Sequence, residues 1–152
     1  MNKDTLITRL RELLPAATPE GSGEWAVLPL PGGEWHAWAG RLRDDAVLQL
    51  DYLFCLTCVD WKTRLTMVYH LGSSRHNEAL VIKIDLDREQ PSVPSVSDIW
   101  RTAEFHEREV YELFGVDFPG HPDLRLLILP EGWEGKNPLR KDFEDPVNMI
   151  KL

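Results

Sequence analysis

FHEREVYELFGVDFPGHPDLRLLILPEGWEGKNPLRKDF, residues 105–143, decides how the chain is put together. Its first third has helical periodicity. At about 100° per residue Trp100, Ala103, Val110, Tyr111 and Phe114 fall on one stripe, with Glu107 in the middle of it. A carboxylate in an apolar stripe is costly unless it is paired, and Arg108, Arg125 and Arg140 are the nearby cations, so the pattern predicts a buried ion pair with the tail or with another chain. Gly115 suits the left-handed position that ends a helix. Beyond it Pro119, Gly120, Pro122, Pro130, Gly132, Gly135, Pro138 and Pro146 arrive too often for any long helix. The tail therefore reads as an extended Pro-rich C-terminal arm over 119–152, following an α+β domain over 1–118. Such an arm has no regular element in which to bury Trp133, Leu139 and Phe143. It either packs back over the domain or lies along another protein.

Upstream of this stretch the chain alternates helices and strands. Leu6, Leu10, Leu13 and Leu14 share a helical face over Thr5–Leu14, and Pro15 stops it. Segments 25–30 and 35–39 flank Pro31-Gly32-Gly33 and read as a hairpin. Arg41–Leu48 suggests a second helix, and Tyr52–Val59 a buried strand. Arg64–Leu71 and Ala79–Leu86 alternate apolar and polar positions, which predicts two half-buried neighbouring strands of one sheet. Asp87–Ser97 is a loop expected to end in a helix cap at Ser95 or Ser97. The expected fold class is α+β: a single domain with a mixed β-sheet packed against helices, plus the arm.

Composition narrows the function. A chain of 152 residues with 43% hydrophobic residues suits one domain with a real core. Its net charge of -8 argues against nucleic-acid binding, which needs clustered Lys and Arg, and against polybasic attachment to lipid. No apolar run approaches a membrane span, and the start MNKDTLITRL has no signal-peptide apolar region. The expectation is a protein that stays inside the cell and meets a membrane only through partners.

Several residue groups invite a chemical role. Cys55 and Cys58 form a CxxC, the spacing of a thiol oxidoreductase or half a metal site, but no other cysteine exists, and on a strand the two thiols point to opposite faces. Packing is the better account of them. His106 and Glu107 begin an HExxH-like pattern that Val110 breaks. His121, beside Asp123, is a titratable group in a turn, where hydrogen bonding is the usual role. Glu104, Glu107, Glu109 and Glu112 are expected mostly on a solvated or interface face, with Glu104 and Arg108 paired at i, i+4. The sequence contains no dinucleotide fingerprint, phosphate loop or nucleophile elbow.

The segments EREVYELFG (107–115), GHPDLR (120–125) and PLRKDF (138–143) resemble the signature of the 30-kDa-subunit family, the C subunits of proton-translocating NADH-quinone oxidoreductase, respiratory complex I. The resemblance extends upstream through VPSV (93–96), RHN (75–77), YHL (69–71) and LTCVD (56–60). The family usually has a second Arg where this chain has Leu126, and one residue where it has Lys136 and Asn137. The resemblance implies a subunit of the peripheral arm with no cofactor in this chain and no catalytic residue. NADH, FMN, iron-sulfur clusters and quinone would be bound by partner subunits. The implied partners are the quinone-site (D) subunit and the cluster-bearing (B) subunit, on the cytoplasmic side of the inner membrane. The residues expected at the partner interface are Glu107, Arg108, Glu109, His121, Asp123, Arg125, Trp133, Leu139, Arg140, Lys141 and Phe143. A homologous subunit of a membrane-bound hydrogenase or related complex is the alternative, and a free-standing CxxC thiol oxidoreductase is a second one.

Overall fold

Leu65, Met67, Tyr69 and Leu71 alternate along one strand, and Leu80, Ile82, Ile84 and Leu86 along the next. In the computed structural model, which describes residues 1–149, these two rows form the middle of a mixed four-stranded sheet. The elements in chain order are α1 (Lys3–Leu13), β1 (Ala26–Pro29), α2 (Trp35–Asp44), β2 (Tyr52–Asp60), β3 (Leu65–Gly72), β4 (Ala79–Leu86) and α3 (Ala103–Phe114). The sheet runs in the order β1-β4-β3-β2, with β1 parallel to β4 and the other pairings antiparallel. Met67 lies opposite Ile84, Tyr69 opposite Ile82 and Leu71 opposite Leu80. Because side chains alternate, this register sends the whole apolar set to one face. Trp35, Ala39 and Leu42 of α2, Leu6 and Leu10 of α1, Ala103 at the start of α3 and Trp100 in the turn before it belong to the same buried cluster.

The expected hairpin does not form. Trp35, Ala39 and Leu42 are spaced for a helix face, and Trp35 N–H bonds to the Gly32 carbonyl, so the chain turns at Pro31-Gly32-Gly33 into α2 and not into a strand. β1 finds its partner far away in sequence instead, in register Leu28 to Ile82 along β4. The second helix accordingly lies at 35–44, and Asp45, which accepts the amides of Val47 and Leu48 while paired to Arg9, holds the turn after it.

α3 starts later than the serines suggested. Residues 96–102 make tight turns, with Ile99 N–H to Val96 O and Ala103 N–H to Trp100 O, and Ser95 accepts the Ser97 amide but does not cap α3, whose N-cap position is Thr102. The far end is as expected: Gly115 is left-handed at φ 77°, and its N–H returns to Tyr111 O. A β-carbon there would stand 2.5 Å from Asn137 Nδ2, so the glycine also allows residue 137 to approach. From 119 to 149 the chain contains no helix or strand.

Candidate functional site

The charged residues of α3 are not a solvated face. Glu107 has no exposure, Glu112 is buried and Arg108 is 6% exposed. Arg108 and Glu112 stand one helical turn apart, and together they hold the backbone of residues 125–129. Arg108 Nε donates to Arg125 O at 3.1 Å and Nη2 to Leu126 O at 2.6 Å. The Glu112 carboxylate accepts the amides of Leu127 at 2.8 Å, Ile128 at 2.9 Å and Leu129 at 3.1 Å. A segment without secondary structure thus has its carbonyls and then its amides satisfied by one cation and one anion. The side chains of that segment are left outward: Ile128 is 68% exposed and Leu127 is exposed too. Phe105 is also exposed, with the Arg108 guanidinium 5.7 Å from its ring centre.

A second anchor sits at the end of β2. The buried Asp60 pairs with Arg88, Oδ2 to Nη2 at 2.9 Å, and also accepts the amides of Lys62 and Lys141. The Arg88 hydrogen bonds hold the Asp60 carboxyl well below the usual carboxylate range. Leu139 N–H bonds to Leu113 O, and Arg140 is paired with Asp142 and directs Nη1 toward Arg88 O at 3.3 Å. The segment after 119 is therefore bonded back to α3 and β2 at several points. Leu139 nevertheless leaves its side chain 55% exposed, and Trp133 and Phe143 are half-buried with ring centres 6.3 Å apart. Those two rings line a surface cavity of about 700 Å³ together with Lys136, Arg140 and Asp142.

Glu107 is buried as expected, but its partners are not the arginines. Ser95 Oγ donates to Oε2 at 2.6 Å and Val96 N–H to Oε1 at 2.8 Å. Arg108 is committed to carbonyls, Arg125 to Asp123 and Arg140 to Asp142. The nearest basic group is the buried His121, whose Nε2 lies 4.0 Å from Oε2. His121 Nδ1 accepts the Asp123 amide at 2.9 Å, so the ring hydrogen is on Nε2, which reaches Glu104 O at 2.9 Å. Burial pushes Glu107 up to about 7, against the hydrogen bonds from Ser95 and Val96 and helped by the charges of Asp98 and Glu104. Truncating Glu107 would take the acceptor from the Val96 amide and one of the partners of the Ser95 hydroxyl, and would strand no buried arginine.

Of the other residues singled out in the sequence, Glu109 is half-buried, Asp123 and Arg125 form an exposed pair, and Lys141 enters through its backbone amide. The anchoring roles of Asp60 and Glu112 are not legible in the sequence. Asp60 is visible there only as the charged end of an apolar strand, and Glu112 only as the i+4 neighbour of Arg108. Cys55 lies opposite His70 and Cys58 opposite Met67, on different faces of the sheet, and both thiols are free. Burial pushes the Cys58 thiol up to about 12, which disfavours the thiolate that redox chemistry requires. Among the described residues no cluster of three or more His, Cys, Asp or Glu could hold a metal ion, and no helix is long and apolar enough to cross a membrane.

Fold and site together define a small α+β domain whose buried charges fasten an irregular C-terminal segment and leave that segment's apolar side chains facing outward. Residues 29–147 match the family described as respiratory-chain NADH dehydrogenase, 30 Kd subunit, and the chain belongs to that family. The NADH-quinone oxidoreductase C subunit of Chloroherpeton thalassium is 43% identical over 112 residues, 72% of this chain and 46% of that protein. The C/D subunit of the Phocaeicola vulgatus enzyme is 41% identical over 82% of this chain and 24% of its own length. The chain thus spans less than half of either relative. Among solved structures, a chain of the membrane-bound sulfane sulfur reductase, an archaeal respiratory membrane complex, superposes with a TM-score of 0.82 at 26% identity, covering 93% of this chain and 85% of that one.

Proposed function

We propose that this chain is a non-catalytic peripheral-arm subunit of an NADH-quinone oxidoreductase, positioning partner subunits of an enzyme that passes electrons from NADH to quinone with proton translocation. NADH, FMN, iron-sulfur clusters and quinone belong to those partners, and the membrane is reached only through them, on its cytoplasmic side. The observation that carries this is the clamp on residues 125–129. Arg108 and Glu112 satisfy the backbone internally, so Leu127 and Ile128 are free to be covered by another chain. The partner of choice is the quinone-site (D) subunit, because relatives named for a C/D fusion carry the matching region and a far longer stretch in one polypeptide. The cluster-bearing (B) subunit is the second partner. The test is co-purification of the quinone-site subunit with the tagged chain carrying Leu127→Ser and Ile128→Ser. Unchanged recovery of that partner would remove this surface from the interface.

A second reading has its own support. The likeness to a chain of an archaeal sulfane sulfur reductase fits a homologous subunit in a related membrane-bound complex, with a different electron donor and acceptor. The proteins that co-purify with the native chain distinguish the two.

A further inference from the structure

Glu107 sits at the junction of three separate parts of the chain: α3 itself, the turn at 95–97 and the turn at 119–123. Both of its oxygens are occupied by donors, Ser95 Oγ–H at 2.6 Å and Val96 N–H at 2.8 Å. Ser95 Oγ in turn lies 2.8 Å from Ser97 Oγ, and either hydroxyl can be the donor. Ser95 is buried and Ser97 is half-buried beside the exposed Asp98. A continuous row of three oxygen-bearing groups therefore leads from a side chain with no exposure to the surface.

Beyond those two donors, the surroundings place no Arg or Lys against the carboxylate. Glu104 on α3 and Asp98 after the 95–97 turn are both acidic and both disfavour the carboxylate. His121, from the 119–123 turn, accepts the Asp123 amide at Nδ1 and turns Nε2 to Glu104 O, which leaves Nε2 4.0 Å from Glu107 Oε2, beyond hydrogen-bond reach. From β3, Tyr69 brings a fully buried hydroxyl without a hydrogen-bond partner, and its own ionisation is opposed by burial first and by Glu107 second. A buried carboxyl with no Arg or Lys paired to it is a place for a proton.

We propose that Glu107 is a reversible proton-binding site inside the fold, and that Ser95 and Ser97 form the hydroxyl relay by which it exchanges that proton with solvent. In the ionised state Ser97 donates to Ser95 and Ser95 donates to Oε2. In the protonated state the two hydroxyl bonds reverse, and Val96 N–H still donates to Oε1: Oε2–H donates to Ser95 Oγ, and Ser95 donates to Ser97. On release Glu107 passes its proton to Ser95, Ser95 passes its own to Ser97, and Ser97 gives its own to water, so no hydroxyl changes its net protonation. The Ser95 hydroxyl and the Val96 amide both tie the 95–97 turn to α3 through Glu107, and the proton reverses the hydroxyl bond while the amide bond keeps its direction.

The site and the relay have separate tests on the full chain. NMR of isotope-labelled glutamate carboxyl groups, with Glu107→Gln to assign the signal, is expected to show one buried carboxyl titrating near neutrality while exposed glutamates titrate in the acid range. A Glu107 signal that titrates with the exposed glutamates, or does not titrate at all across neutrality, overturns the site. The relay is read from line shape at the midpoint. The unaltered chain is expected to give one averaged signal, and Ser97→Ala is expected to give slow exchange, with the rate lower by an order of magnitude or more and the midpoint little moved. Ser95→Ala is expected to raise the midpoint as well, because it removes a donor from the charged form. Identical line shapes in Ser97→Ala and the unaltered chain overturn the relay. The titration of the unaltered chain decides the site even if a serine variant fails to fold.

Discussion

Replacing Glu112 by Ala removes one side chain and leaves three backbone amides, those of Leu127, Ile128 and Leu129, without their acceptor. A hydrogen bond to a charged group is worth about 1.5–3 kcal/mol, and a buried donor left unpaired costs about 1–3 kcal/mol. The segment is partly exposed, so water recovers some of those amides. Arg108 also loses the anion one turn along the helix. The net cost works out at about 2–4 kcal/mol, which for a domain of this size lowers Tm by roughly 5–15 °C. Glu112→Gln retains one acceptor oxygen but brings an NH2 group toward the same amides, so about half of that loss is expected. Thermal unfolding measures the total, and amide hydrogen exchange locates it. Residues 127–129 are expected to lose protection while β3 and β4 keep theirs. If Glu112→Ala shifts Tm by less than about 2 °C and protection at 127–129 is unchanged, the clamp does not hold the segment and the reasoning fails.

Other outcomes follow from the same geometry. A shift of Glu107 from 4.5 in the unfolded chain to about 7 in the folded one means that the folded state holds the proton more tightly, so stability is full below 4.5, falls as pH rises between the two values and is flat above. The loss is about 3 kcal/mol at most, and Glu107→Gln is expected to abolish it in denaturant titrations across that window. Asp60 has the opposite sign: its depressed value contributes stability above the usual carboxylate range that is lost as pH falls through its folded value, and Asp60→Asn is expected to flatten the acid limb. Cys58 should react with thiol reagents far more slowly than Cys55 at mildly alkaline pH, and Cys55→Ala with Cys58→Ala should leave the assembled complex active at a stability cost of about 1–2 kcal/mol; lost electron transfer with the complex intact would revive a redox role. A chain ending at Leu129 keeps the clamp and the exposed Leu127 and Ile128 but loses the Asp60–Lys141 and Leu113–Leu139 bonds, so it is expected to unfold cooperatively at a lower temperature and to hold the quinone-site partner more weakly in a pull-down. Full binding by the shortened chain would confine the interface to residues up to 129.

The sequence by itself determined the elements whose order is written in local periodicity. Alternation marked β3 and β4 almost to the residue, the leucine face marked α1, and Gly115 marked the end of α3. A period of two or of 3.6 is a property of neighbouring residues, and it survives in the sequence whatever the rest of the chain does. It also flagged Glu107 as a carboxylate that something must answer. Only the tertiary structure decided what answers it. Ser95, Val96 and His121 lie twelve, eleven and fourteen positions away, on opposite sides of α3, and nothing in their spacing sets them above the three arginines. The hairpin expected at 25–39 fails for the same reason: a four-residue β1 has too few positions to reveal its period, and its parallel partner β4 lies about 54 positions downstream, where only the closed sheet brings them together. Arg108, Glu112 and Asp60 resemble surface charges in the sequence because their partners are backbone groups, and a backbone amide or carbonyl carries no mark of its own there.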